Sequence, residues 1–379
     1  MKNNLFALCV LVALSVSVGA QVNNPIVTAV PSLSIAPDAR AGGMGDIGAA
    51  TSPDVNSQYW NAAKYVFMES DAGVSLSYTP WLRKLVSDIN LAYVAGYYKL
   101  DPRQAVSASL RYFSLGDITL MDQLGIPQGS AHPNELAVDV AYSRLLSDKL
   151  SAAATMRFIY SDLNNGINLA GGTPMYPGAA VSVDISAYYK TPLTVQNVDG
   201  QMAFGVNISN IGSKISYDQN ETSNFIPTNL RLGGSYDYPI DNYNKISVSV
   251  DLNKLLVPTP KLNPTAADIT AYNNLSPIAG IFESFTDAPG GFREQMEEIM
   301  WSVGAEYAYN NQFFVRGGYF NESQYKGNRK YFTAGAGFKL NIFQLDAAYV
   351  IATSQSNPLD QTLRFSLSFD MLGLKNLVK

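Results

Sequence analysis

The feature that most constrains this chain is an alternation of period two that recurs from Asp71 almost to the C-terminus. Val181, Val183, Ile185, Ala187 and Tyr189 alternate with Ser182, Asp184, Ser186 and Tyr188. Ile246, Val248, Val250 and Leu252 alternate with Ser247, Ser249 and Asp251, and Leu363, Phe365, Leu367 and Phe369 with Arg364, Ser366 and Ser368. Successive side chains of a strand point to opposite faces, so each run sets one face against an apolar medium and the other against small polar groups. A water-soluble β-sandwich produces the same pattern with its apolar face inside. Three features favour a barrel in lipid instead. Tyr and Phe gather near the run ends, the opposite faces carry Ser, Asp, Arg, Gly and Asn, and the runs are about ten residues long, enough to cross a bilayer at a tilt.

About fourteen such runs can be counted, from 72–79 to 361–371. The odd-numbered connections between them are long, among them Gly116–Asn134, Ser161–Gly178, Asn210–Pro227 and Leu255–Ile299. The even-numbered ones, such as Asp101–Arg103, Ser147–Asp148, Thr191–Gly200 and Asn310–Asn311, are shorter. Alternating loop lengths are what an outer-membrane barrel shows, with short periplasmic turns and long outer loops, whereas a sandwich has no reason to sort loops by parity. The pattern therefore predicts an all-β fold: a transmembrane antiparallel β-barrel of about 14 strands over residues 71–379. It would sit in the outer membrane of a Gram-negative cell, with both termini periplasmic and the long loops extracellular. After the N-terminus no stretch of about 18 apolar residues occurs, which excludes a bundle of membrane helices. Charged residues make up 15% of the chain, below the roughly 25% usual for soluble domains. A net charge of -5 excludes nucleic acid as a partner, because phosphate neutralisation needs clustered Lys and Arg.

Residues 1–20 read as a secretory signal peptide: Lys2, an apolar run from Leu5 to Val18, and small residues up to Ala20. Cleavage there leaves 359 residues without cysteine, since Cys9 is the only one in the chain. The mature protein then has neither disulfides nor a thiolate nucleophile. Residues 21–70 break the strand pattern with Pro25, Pro31, Pro37 and Pro53. Within them Arg40-Ala-Gly-Gly-Met-Gly-Asp-Ile-Gly48 matches G-x-G-x-x-G, but no apolar strand precedes it and no βαβ unit follows, so a dinucleotide site is not indicated. Gly42, Gly43, Gly45 and Gly48 instead suit close backbone packing of a hatch folded inside the barrel wall.

That segment, followed by Ser57-Gln-Tyr-Trp60-Asn61-Ala-Ala63 and then the barrel, resembles the FadL-like family of outer-membrane transporters, in which an N-terminal hatch occupies the lumen. Ala62 stands where that family usually has Pro, so the local turn differs. Within the family, Ala36-Pro-Asp-Ala-Arg40 and Asn56 to Asn61 look most like the PorV-like branch that serves type IX secretion. The resemblance implies a hatch built on Arg40, the four glycines, Trp60 and Asn61. It also implies an adaptor that binds the C-terminal β-domain of secreted cargo at the translocon barrel. Cargo would then pass to a surface attachment complex with a PorU-like sortase, in contact with outer-membrane lipid and lipopolysaccharide. The alternative is passive transport of long-chain fatty acids or other hydrophobic small molecules.

The longest loop, 255–299, opens on Pro258, Pro260 and Pro264 and ends in Phe292-Arg-Glu-Gln-Met296-Glu-Glu-Ile299, whose spacing predicts a helix with Phe292, Met296 and Ile299 on one face. Two readings stand for it: a docking helix for a partner, or a short helix closing the barrel mouth. Trp81 and Leu82 in the first long loop add apolar surface. Catalytic, cofactor and metal residues are not indicated. The single His132 lies beside Pro133 in the loop Ser130-Ala-His-Pro-Asn134; one His without Cys excludes an ordinary His-rich or thiolate metal centre, and its spacing from Ser130 reads as a solvated turn residue rather than a hydrolase base.

Overall fold

The computed structural model describes residues 24–83, 86, 88–121, 125–164, 175–218, 222–353 and 359–370. The segment expected to be a signal peptide, residues 1–20, and most of the 161–178 loop lie outside the described residues. Sixteen strands follow in chain order: β1 Ala72–Pro80, β2 Asn90–Asp101, β3 Gln104–Ser114, β4 Ile118–Met121, β5 Pro127–Ala131, β6 Asn134–Ser147, β7 Leu150–Asp162 and β8 Gly178–Val195. Then come β9 Val198–Gly212, β10 Asn229–Pro239, β11 Asn244–Leu255, β12 Ile299–Tyr309, β13 Phe313–Asn321, β14 Lys330–Leu340, β15 Phe343–Ala352 and β16 Leu363–Asp370.

Fourteen of these strands close into one antiparallel barrel. Each pairs with its neighbour in the sequence, and β1 meets β16 through Gly73↔Asp370 to Tyr78↔Phe365. Closure leaves the wall without a free edge, which a bilayer requires because no water is present to satisfy exposed N–H and C=O groups. Burial is inverted relative to a soluble protein. Val248, Val250 and Leu252 are 43–47% exposed, whereas Ser247, Ser249 and Asp251 beside them are buried. In β16, Phe365 and Phe369 face outward while Arg364 and Ser366 are buried. Apolar side chains exposed in this pattern are stable only against lipid.

Three connections differ from the sequence reading. The Thr191–Gly200 connection contracts to the two-residue turn Gln196-Asn197, with φ of 52° and 62°, because β8 and β9 run on into it. Pro192 disguised the continuation; proline is tolerated here because β8 has no neighbour on its β7 side beyond Lys190. A turn with positive φ at both positions matches the twist of paired strands, and Asn310-Asn311 repeats it. The 116–134 loop contains the separate hairpin β4–β5. The 255–299 loop carries three helices rather than one: α3 Ala266–Asn274, α4 Pro277–Glu283 and α5 Phe292–Glu297, counted after the two short helices of the plug, α1 Ala39–Gly42 and α2 Ser57–Trp60. Thr265 and Asp268 form a capping box at α3, and Ser276 caps α4 with Pro277 at its first turn. Ile299 falls in β12, not on the helix.

The expectation that both chain ends are periplasmic falls on residues 1–23 and 371–379, which lie outside the described residues. Residues 24–70 run through the lumen from end to end. Asn24, the first described residue, is held at the long-loop end, its N–H donating to Tyr325 O at 3.1 Å. At the other end Lys99 Nζ donates to Met68 O at 2.8 Å, beside the β2–β3 turn. Asp370, the last described residue, lies at that short-turn end too, opposite Gly73.

Candidate functional site

The plug is ordered by its own short contacts before it meets the wall. Asp38 caps α1 by accepting from Ala41 N at 2.9 Å, and its other oxygen accepts from Trp60 Nε1 at 2.6 Å, tying α1 to α2. Asn61 Nδ2 donates to Ala49 O and to Ala187 O on β8, at 3.0 and 2.9 Å. Its Oδ1 accepts from Ala63 N at 3.1 Å, starting the 3-10 turn Ala62–Phe67. Lys64, fully buried, donates to Gly48 O and Thr51 Oγ1 at 2.9 and 3.1 Å. A buried ammonium needs such acceptors.

Arg40 joins plug and wall. Its guanidinium reaches Glu306 on β12 at 3.1 Å, Asp54 at 2.8 Å, and the Ser52 carbonyl and hydroxyl at 3.0 and 2.7 Å. Glu306 accepts from Arg316 Nε at 2.6 Å, and Arg316 Nη1 reaches Asp346 at 2.6 Å. The result is an alternating chain of buried charges, Asp54–Arg40–Glu306–Arg316–Asp346, across three wall strands. A second one places Arg157 between Asp139 and Asp184, at 2.8 and 2.9 Å, and Gln58 of α2 docks on it through Asp139 at 2.8 Å. Arg364 pairs with Asp46, which also accepts from Tyr331 at 2.6 Å. Alternation of sign lets each group keep a charged partner out of bulk water.

The four glycines lie where the plug backbone touches the wall or its own core. A Cβ on Gly42 would overlap the Arg364 guanidinium, and one on Gly48 the Trp60 ring. Gly43 sits on Gly335, and Gly45, at φ +81°, lies against the Tyr319 backbone. Gly48 N and Ala49 N both donate to Asp251 Oδ2, at 2.9 and 3.0 Å. The glycine-rich stretch thus binds a carboxylate of its own wall. Sequence reasoning missed the counterpart glycines. Gly205 faces Ala49, and Gly304 and Gly318 face Met44, each so closely that a Cβ would collide with the plug backbone. Glycine inside a strand run is the available signal, since it marks close approach of another backbone.

At the long-loop end the candidates separate. Trp81 and Leu82 pack against the cluster Met300, Phe320, Tyr331, Val350 and Leu359. Both are half-buried, packed on the mouth's core rather than standing free. Ile299 is half-buried. Phe292 and Met296 are exposed, at 79% and 47%. They are joined by residues the sequence reading passed over: Ile269, Ile278, Phe282 (72%) and Phe285 on the same helical loop. The base of that loop is a buried ionic knot. Glu298 takes Lys254, Lys326 Nζ (3.1 Å) and Thr259 Oγ1 (2.7 Å), and Lys326 also holds Glu294 at 2.5 Å. Asn24 of the plug enters the knot through Glu294 and Pro260 O, at 3.3 and 3.2 Å. Burial pushes the Glu294 carboxyl up, but the bonds from Lys326, Gly290 N–H and Asn24 outweigh it and hold the group below its ordinary range.

Among the spaces left in the lumen, two bear on transport. One of about 420 Å³ at the short-turn end is lined by Arg40, Lys190, Arg316, Glu306 and Asp370 among others. The second, of about 70 Å³, lies between Trp60, Arg231 and Tyr331. His132 is exposed and pairs with Asp117 at 2.5 Å. Among the described residues no group of three or more His, Cys, Asp or Glu could hold a metal.

A closed fourteen-stranded wall, apolar outside and filled by the chain's own N-terminal segment, defines a plugged β-barrel of the outer membrane. Solved structures of this architecture are similar in fold. The TodX deltaS2S3 mutant monoaromatic hydrocarbon channel superposes with a TM-score of 0.53 at 11% identity, covering 88% of this chain and 98% of that one. The Pseudomonas putida toluene transporter TodX gives 0.50 at 10% identity, covering 87% and 96%. No curated protein sequence matches the chain significantly. A family model described as type IX secretion system protein PorV matches residues 18–262. The chain belongs to the PorV family, outer-membrane proteins of type IX secretion.

Proposed function

We propose that this barrel is a non-enzymatic adaptor: it binds the C-terminal β-domain of secreted cargo at the translocon and delivers it to the surface complex containing a PorU-like sortase. In this reading the long loops face the outside and lipopolysaccharide, and the short turns face the periplasm. The observation that carries it is the exposed aromatic and aliphatic cluster on the helical loop. Ile278 and Phe282 on α4, Phe285 in the turn after it, and Phe292 and Met296 on α5 stand exposed beyond the wall strands, on a loop whose base is the buried knot. Large apolar side chains concentrated there, away from the lipid-facing belt, suit a protein partner. Passive transport of hydrophobic molecules has less support. The larger of these luminal spaces is crossed by the ion-paired Arg40, Glu306, Arg316 and Asp346, and the smaller is about 70 Å³. The test is binding of a purified cargo C-terminal β-domain to the detergent-solubilised chain. Phe282→Ser with Phe292→Ser should weaken binding by about 10-fold or more, as for loss of hot-spot aromatics, with heat-modifiable migration unchanged. Wild-type affinity in that variant would remove the loop as the platform.

A further inference from the structure

The hairpin β4–β5 continues the β3–β6 pair beyond the barrel rim. Leu115 N donates to Pro133 O at 3.0 Å as the last rung, Gly116 at φ +82° bends the chain, and pairing resumes at Ile118↔Ala131. Ile118, Thr119, Met121, Ile126, Pro127, Gly129 and Ser130 are all exposed. A two-stranded ladder standing alone in water is marginal, and a third strand or a packed face is what stabilises it. The two edges are not equivalent. On β5, Pro127 has no N–H, the register shifts opposite Leu120 and Met121, and Gly129 adopts φ +137°. These are the devices that blunt an edge. None of them occurs on β4. Asp117 N–H points away from β5, donating to Asp88 Oδ2 at 2.7 Å. Backbone groups two residues apart in a strand point the same way, so Thr119 presents its N–H and C=O on that open side.

We propose that the β4 edge, Ile118–Met121, accepts an extended strand from a protein client. This inference rests on the adaptor reading above and names how the client is gripped. Unpaired, alternating N–H and C=O groups are matched by another strand's backbone, not by an acyl chain or a helix face. The exposed Ile118 and Met121 flank that edge and supply side-chain contacts to the incoming strand.

The experiment uses the full-length chain in detergent and, as probe, a purified C-terminal β-domain from a protein exported by the same cells' type IX machinery. Amide exchange at residues 118–121 is expected to slow at least about tenfold in the complex. Thr119→Pro removes the outward N–H without touching the rungs to β5, and should weaken binding about tenfold. Ser130→Pro, opposite Thr119 with its N–H on the other edge, should bind within about twofold of wild type. Wild-type binding by Thr119→Pro, with loss of binding in the Phe282→Ser, Phe292→Ser variant, would overturn the strand edge and leave the adaptor reading standing. No binding to the unmodified chain would overturn both. Edge pairing between two copies, read as a dimer that Thr119→Pro dissolves, would also overturn the proposal.

Discussion

Arg40 concentrates the energetics of the plug in one side chain. It holds Asp54 within the plug and Glu306 on the wall, and Glu306 keeps Arg316 when Arg40 is removed. Arg40→Ala should therefore loosen the plug rather than the barrel. Breaking a buried pair by deleting one partner costs about 3–5 kcal/mol, and the wall retains its own ladder. Heat-modifiable migration is expected to stay, while proteolysis of residues 24–70 from the short-turn end and single-channel conductance both rise. Unchanged protection and conductance would show that Arg40 does not hold the plug. A complementary change sits in the wall: Gly318→Val would drive its side chain into the Met44 backbone. The same rise in conductance is expected there, with Arg40 and all its partners intact.

At the scale of elements, legibility followed chemistry that is local. The strand runs were readable because lipid on one side and a polar lumen on the other enforce a strict period of two, as in Val181 to Tyr189. The turn at Gln196-Asn197 was hidden because Pro192 reads as a break unless one knows that its N–H side has no neighbour. The capping box Thr265…Asp268 was a sequence signal for α3 that the proline-rich start of the loop obscured. Which apolar loop residues are free was not legible. Trp81 and Phe292 look alike in sequence, and only long-range packing buries the first against Phe320 and Tyr331. The ionic knot under the helical loop gives a pH dependence with a definite sign. Because Glu294 is held below its ordinary range, its contribution is present at neutral pH and is lost as pH falls through that lowered value. Protection factors across 255–299, corrected for the intrinsic slowing of amide exchange in acid, should fall only once the pH drops below the ordinary carboxylate range, and Lys326→Met should bring the lower protection to neutral pH. A loop whose exchange protection ignores both changes would not be anchored by this knot.

For the whole molecule, orientation is the open quantity that a labelling experiment reads directly. With the long loops outside, a cysteine replacing Thr286 should react with an impermeant maleimide on intact cells, and one replacing Asp148 in the β6–β7 turn should not. The mature chain has no cysteine of its own if cleavage follows Ala20, so the background is clean. Reaction at Asp148→Cys with silence at Thr286→Cys would invert the molecule in the membrane. The lumen was the least legible part at this scale. Asp251 was recognisable as inward-facing, but its partners, Gly48 N and Ala49 N, lie about two hundred residues away in the plug, and no local pattern encodes such pairings.

The plug bears on the order in which the molecule can be made. It is bonded to strands all round the wall: Asp139 on β6, Asp251 on β11, Glu306 on β12, and Ser366 on β16, which accepts from Ala39 N at 2.9 Å. The last seam, Gly73↔Asp370, joins residues from nearly opposite ends of the chain. All of these contacts can be complete only when every strand holds its place in the ring, so docking of the plug and sealing of the last seam finish as one event.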